Sequence, residues 1–245
     1  MMNLIRADFY RISRGWVVYA PFAGLVLLHA IAMVLNSYAV SGTMYVEFLL
    51  GGAQLLFTVS MIPFVFCVSV PIFSDGTMKN DISWGMSRTK LYVSKLLVMA
   101  MLSALLYVFY IASGMALATI IGGVGDIVPG YGMNLLQAMG AQMVGVLALC
   151  SVMIFLSFLL KKPYVLTEAL GAVLLIPMLI NWISAIFHVD TSWVLYFDLM
   201  SNIERFASFH LLDSRAILIA FGVVAVWMIV PSAAGITLLR RAEIK

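Results

Sequence analysis

A zinc site, a nucleophile with its base, or a proton relay each needs ionisable side chains at a fixed spacing, and few residues of this chain qualify. The histidines are His29, toward the far end of the first apolar run, and His188 and His210, which share one later segment. No H-E-x-x-H or other ligand spacing joins them, so they read as interfacial or hydrogen-bonded structural residues rather than zinc ligands. There is no G-x-S-x-G for a nucleophile and no G-x-x-x-x-G-K-[ST] to cradle a phosphate. Cys67 and Cys150 lie inside apolar runs without a C-x-x-C pattern and read as small buried hydrophobes. The expectation is no catalytic residue, no metal ligand and no cofactor bound by this chain.

Within the apolar runs the polar residues that stand out are His29, Gln54, Gln142 and Asn181. Transport driven by an ion gradient needs ionisable groups at membrane depth, and these do not supply it. Glu168 stands one turn past Lys161-Lys162-Pro163, where it pairs with a snorkelling lysine. If the protein moves anything uphill, the energy has to enter from a partner. The longest water-loving stretch is "FSDGTMKNDISWGMSRTKLYVSK", residues 73–95. Asp75-Gly76-Thr77 predicts a turn, with Gly76 free to take a positive φ and Asp75 or Thr77 able to cap exposed N–H groups. A short helix follows through Lys79, Asn80 and Trp84. Gly85 and Ser87 break it, and Arg88, Lys90 and Lys95 lead into the next apolar run with Tyr92 at the interface. A solvated loop accounts for the charges but not for turn, helix and tryptophan together, so a docking element for a cytoplasmic partner is expected here.

The elements that carry these residues are those of a membrane protein. Of 245 residues, 64% are hydrophobic and 10% charged, with a mean hydropathy of +1.08, against about 25% charge in a soluble domain. Six runs are long enough to cross a bilayer: about 16–36, 51–73, 95–122, 136–160, 164–187 and 215–239. The fold class is all-α, a single transmembrane domain over 1–245, with 74–94 as the loop between the second and third spans and 188–214 as an outer segment. All 14 basic residues except Arg205 and Arg215 fall on one side, which the positive-inside rule makes cytoplasmic, with both termini there. Glu47, Asp126, Asp190, Asp198, Glu204 and Asp213 fall on the other. The net charge of +3 is thus a topology signal and not a nucleic-acid footprint.

The first fifteen residues predict an amphipathic helix lying flat in the cytoplasmic interface, with Ile5, Phe9, Ile12 and Trp16 on one face and Arg6, Arg11 and Arg14 elsewhere. The same arginines also serve to orient the first span. Pro63, Pro71, Pro177 and Pro231 favour kinks or breaks in their spans. The small residues of "SGMALATIIGGVG", 113–125, predict close helix packing. The outer segment mixes Trp193, Tyr196, Phe197, Phe206 and Phe209 with acids and predicts one or two short half-sunk helices. It serves either as an aromatic belt or as a lid and gate over a route to the outside.

The order amphipathic helix, span, span, polar loop, span resembles the type 2 ABC export permeases. In that family an acid-Gly-Thr-x-Lys pattern, here Asp75, Gly76, Thr77 and Lys79, precedes a Ser-Arg-x-x-x-Tyr-x-x-Lys pattern, here Ser87, Arg88, Tyr92 and Lys95, and together they form the coupling-helix region. The resemblance implies a separate cytoplasmic ABC ATPase dimer that binds ATP and Mg, a second permease subunit, identical or related, and a bacterial cytoplasmic membrane. It also implies efflux of an amphipathic substrate, with bacterial peptide export or lantibiotic and bacitracin-type immunity as the nearest subfamily. Trp84 departs from the smaller residue usual in such loops. The alternative reading is a non-transporting scaffold or regulatory subunit that docks a partner through the same loop.

Overall fold

The computed structural model describes residues 2–35, 40–51, 54–74, 86–127, 129–162 and 192–241, with scattered positions between 169 and 188. Among them helices are the only regular elements: α1 (Met2–Ser13), α2 (Ala20–Leu35), α3 (Gly42–Gly51), α4 (Gln54–Ser74), α5 (Arg88–Gly122), α6 (Tyr131–Leu160), α7 (Ser192–Phe197), α8 (Leu199–Arg205) and α9 (Ser214–Arg241). Short 3₁₀ turns occupy Trp16–Val18 and Phe206–Leu211. Four of these helical stretches are long and apolar enough to cross a membrane, namely Trp16–Leu35, Arg88–Gly122, Tyr131–Leu160 and Ser214–Arg241. They coincide with the first, third, fourth and sixth expected spans. The fifth, 164–187, falls largely outside the described residues, as does Glu168.

α5 and α6 form the centre. They run antiparallel, since Tyr92 packs on Phe158 at one end and Tyr107 donates to Gln142 Oε1 (2.6 Å) further along. α5 has 35 residues, about 52 Å at about 1.5 Å per residue, against a hydrocarbon layer of about 30 Å. It therefore stands proud of an apolar slab and touches α1, α2, α3, α4, α6 and α9 along its length. α9 lies against α6 with Ala220, Val224, Pro231, Gly235 and Leu239 inward, and presents Leu218, Val226, Ile229 and Val230 outward. Such an outward apolar face is what a lipid-facing helix requires.

One expectation is refined by this packing. α4 covers most of the second expected run, 51–73, and Gly42–Gly51 ahead of it is helical as well. α3 runs antiparallel to α5, with Gly42 beside Thr119 and Leu49 beside Gly114. Its first N–H groups donate to the chain leaving α5, Gly42 to Gly123 O (2.9 Å) and Thr43 to Val124 O (3.1 Å). Further along, Leu49 O accepts from Tyr110 Oη (3.3 Å) and Leu50 O from Gln142 Nε2 (2.8 Å). The small residues of 113–125 thus do serve close packing, and the helix they admit is α3. Of the kinks or breaks expected at prolines, no break occurs at Pro63, Pro71 or Pro231, since helix continues through them in α4 and α9.

Gln142 is the buried knot of this arrangement, because the same Nε2 also donates to Ile203 O (3.1 Å) at the end of α8. Gln142→Leu removes the amide group from Leu50 O, Ile203 O and the Tyr107 hydroxyl together. The expected loss is about 2 kcal/mol, since burying an unpaired polar group costs ~1–3 kcal/mol and polar contacts in membrane bundles are worth somewhat less. A fall in the melting temperature of the purified protein in maltoside micelles checks it, and an unchanged melt would show that the network is not structural.

Candidate functional site

Antiparallel packing brings the start of α5, the ends of α6 and α9, and α1 to one end of the bundle. Arg6, Arg11, Arg14, Lys90, Lys161 and Arg241 gather there. At this basic end α1 does more than carry charge. Ile5 and Ile12 are buried and Phe9 packs beside them, on α5 and α4. The face expected to enter the membrane interface is therefore covered by protein. Trp16 is not part of it, because α1 ends at Ser13 and the Trp16 side chain, in the following 3₁₀ turn, is 78% exposed.

Asp8 shares that inward face, one turn after Ile5, and is 4% exposed. Lys95 of α5, 2% exposed, meets it with Nζ 2.7 Å from both Oδ1 and Oδ2. Arg11 Nη2 stands 3.3 Å from Oδ1. Two ions removed from water at so small a separation are stable only together, and α1 is thereby fixed to α5. Asp8 went unnoticed in the sequence reading. An acid within the apolar face of an amphipathic helix was the available signal.

The second polar pattern of the loop is turned inward along with Lys95. Ser87 caps α5, its hydroxyl accepting from Lys90 N (3.3 Å). Arg88 Nη1 donates to Leu239 O (3.1 Å) and Arg240 O (2.8 Å), so a guanidinium closes the electronegative end of α9. Arg240 Nε returns a bond to Thr89 Oγ1 (3.2 Å). Tyr92, expected at the interface, is fully buried instead. Its ring lies 5.2 Å from that of Phe158 and occupies the space that a side chain at Gly235 would need. The Ser-Arg-x-x-x-Tyr-x-x-Lys pattern thus ties α1, α6 and α9 to the foot of α5. Asp75, Gly76, Thr77, Lys79, Asn80 and Trp84 lie outside the described residues.

At the opposite end the outer aromatics divide. Phe206 is buried against Phe221 (ring centroids 4.8 Å apart), with Phe209 6.4 Å from the same ring. Tyr196 lies on the surface under Arg205, whose guanidinium carbon is 4.2 Å from the ring centroid. Phe197 is exposed, and its carbonyl accepts from Trp227 Nε1 (2.8 Å). The Trp193 side chain lies outside the described residues. Asp198 caps α8 through Ser201 N (2.7 Å), and Asn202 Nδ2 returns to Tyr196 O and Asp198 O. Short helices were expected here and short helices are found, fastened to α6 and α9. His29 is likewise structural, its ring nitrogens 3.1 Å from Tyr45 Oη and 3.2 Å from Tyr110 O.

A helical bundle with membrane-length apolar helices and a braced basic end defines a multi-pass membrane protein. Residues 4–178 match the model of the ABC-2 family transporter proteins, and the chain belongs to that family. It is therefore a permease-type membrane component of an ABC transporter, a class that works with an ATPase subunit. The match includes Asp8, Lys95 and the whole 73–95 loop. No curated protein and no solved structure matched the chain.

Breaking the buried pair from one side leaves the other charge uncompensated. Asp8→Asn or Lys95→Met is expected to cost about 3–5 kcal/mol, and the double replacement Asp8→Leu with Lys95→Met to recover most of it. Denaturation midpoints of the three variants in micelles measure this, and single variants as stable as the unaltered protein would deny the pair its structural weight.

Proposed function

We propose that this chain is the membrane subunit of an ATP-driven exporter in a bacterial cytoplasmic membrane. Six spans put both termini and the basic end in the cytoplasm. The 74–94 loop is the coupling-helix region, and Asp75 to Lys95 docks in a cleft of a separate ATPase dimer. Closure of that dimer on ATP pushes the loop, and the movement passes into α5. A second permease subunit completes the route across the bilayer, and the α7–α8 segment closes its outer exit. The substrate is an amphipathic molecule, a peptide or peptide antibiotic being the best candidate.

The observation that carries this reading is the bracing at the foot of α5. The loop enters α5 at Ser87, and within the first turns Arg88 holds the end of α9 while Lys95 holds α1. A push on the loop therefore acts on three helices as one body and is not absorbed by bending at the joint. Rigid-body transmission of this kind suits packed helices, which switch between arrangements more readily than they deform. The other supports are the family match and the lack of ionisable residues at depth to couple an ion gradient.

Reconstitution with an ABC ATPase that co-purifies with this chain, followed by measurement of ATP turnover and efflux, tests it. Asp75→Ala and Lys79→Ala are expected to lower permease-stimulated turnover at least severalfold with the melting temperature unchanged. Arg88→Ala is expected to lower both, because it also releases α9. If Asp75→Ala and Lys79→Ala leave association, turnover and efflux intact, the loop is not the coupling element and the scaffold reading takes its place.

A further inference from the structure

Gln142 lies in the middle of α6, fully buried, and both polar atoms of its side chain reach other helices. Oε1 accepts from Tyr107 Oη of α5 (2.6 Å), and Nε2 donates to Leu50 O of α3 (2.8 Å) and to Ile203 O of α8 (3.1 Å). Ile203 is held in a second way. Gly145, one turn further along α6, is buried, and a Cβ there would overlap Ile203 Cγ1, so Ile203 sits in a notch that the missing Cβ leaves open. Asn202, next to it and also buried, donates through Nδ2 to Tyr196 O (2.9 Å) and so ties α7 to α8. A row of bonded groups thus runs from α5, through one side chain of α6, to both short helices of the outer segment.

The near end of that row is the foot of α5. Arg88 and Lys95 join the foot to α9 and α1. Tyr107 stands twelve residues beyond Lys95 in the same helix, about 18 Å at ~1.5 Å per residue, with no proline between them. A displacement of the foot is therefore delivered to the Tyr107 hydroxyl. An apolar contact tolerates a slip between helices that a hydrogen bond does not, because the bond has a narrow range of distance and angle and, where water is excluded, a broken one is left unpaired. Tyr107 and Gln142 are both buried, so their bond fixes the register of α5 against α6, on which α8 is seated. We propose that the Tyr107–Gln142 bond is the joint through which movement of the 74–94 loop reaches the outer segment. The inference deepens the exporter reading and rests on it for the push at the foot of α5.

The test is backbone hydrogen exchange of the complex with its co-purifying ATPase in lipid nanodiscs, without nucleotide and with ATP and vanadate. In the unaltered protein trapping is expected to change exchange severalfold both in the 74–94 loop and across α8 and the Phe206–Leu211 turn. Tyr107→Phe removes only the hydroxyl and leaves Gln142 its two donations. It is expected to keep the response of the loop and to lose that of the outer segment. Tyr110→Phe is the matched control, since it takes the same atom from the same helix, releases Leu49 O of α3 and leaves the Tyr107–Gln142 bond whole. Both segments are expected to respond in it. An outer segment that responds in Tyr107→Phe as in the unaltered protein overturns the joint. So does equal loss in Tyr107→Phe and Tyr110→Phe, the mark of a merely structural hydroxyl, or an outer segment that stays silent in the unaltered protein while the loop responds. A loop that shows no response in the unaltered protein overturns the exporter reading, and the joint falls with it.

Discussion

An ammonium and a carboxylate, each nearly stripped of water, hold the basic end of this protein together. Lys95 cannot be left in an apolar bundle alone, and Asp8 cannot be left on the inward face of α1 alone. Their pairing decides that α1 packs on α5, which fixes where the chain turns into the first span and which face of α5 remains for α6 and α9. The hydrocarbon of the bilayer sets the length of the helices, but it does not choose their neighbours. Ion pairs and capped helix ends make that choice, because unpaired polar groups there are costly and apolar contacts with lipid or with protein are nearly equivalent.

The same economy of polar groups recurs at the other end. The first N–H groups of α3 are met by Gly123 and Val124, and the carbonyls of Leu49 and Leu50 by Tyr110 and Gln142. Gln142 then reaches Ile203, so that α3, α6 and α8 share one side chain.

The all-helical class and four membrane-length helices were legible, because a long unbroken apolar run has few other fates. The motif Ser87, Arg88, Tyr92 and Lys95 was legible as a unit, but its direction was not. Read locally, basic residues beside a polar loop look solvent-facing. Their partners, Asp8 and the carbonyls of Leu239 and Arg240, lie far away in sequence and leave no periodic trace. α3 escaped notice because Glu47 interrupts its apolar run. The local rule for Pro231 is a kink or break, whereas helix continues through it with its side chain buried.

The distance along the chain between Asp8 and Lys95 also has a meaning in time. They are 87 residues apart, and a ribosome adding about 5–20 residues per second needs on the order of ten seconds to pass from one to the other. Throughout that interval the carboxylate has no ammonium to meet and stays hydrated at the membrane surface. α1 therefore docks only after the helices between it and α5 have been made and α5 has begun to emerge. The first helix to be made is among the last to settle, and its docking marks a nascent chain whose early spans have taken up their places.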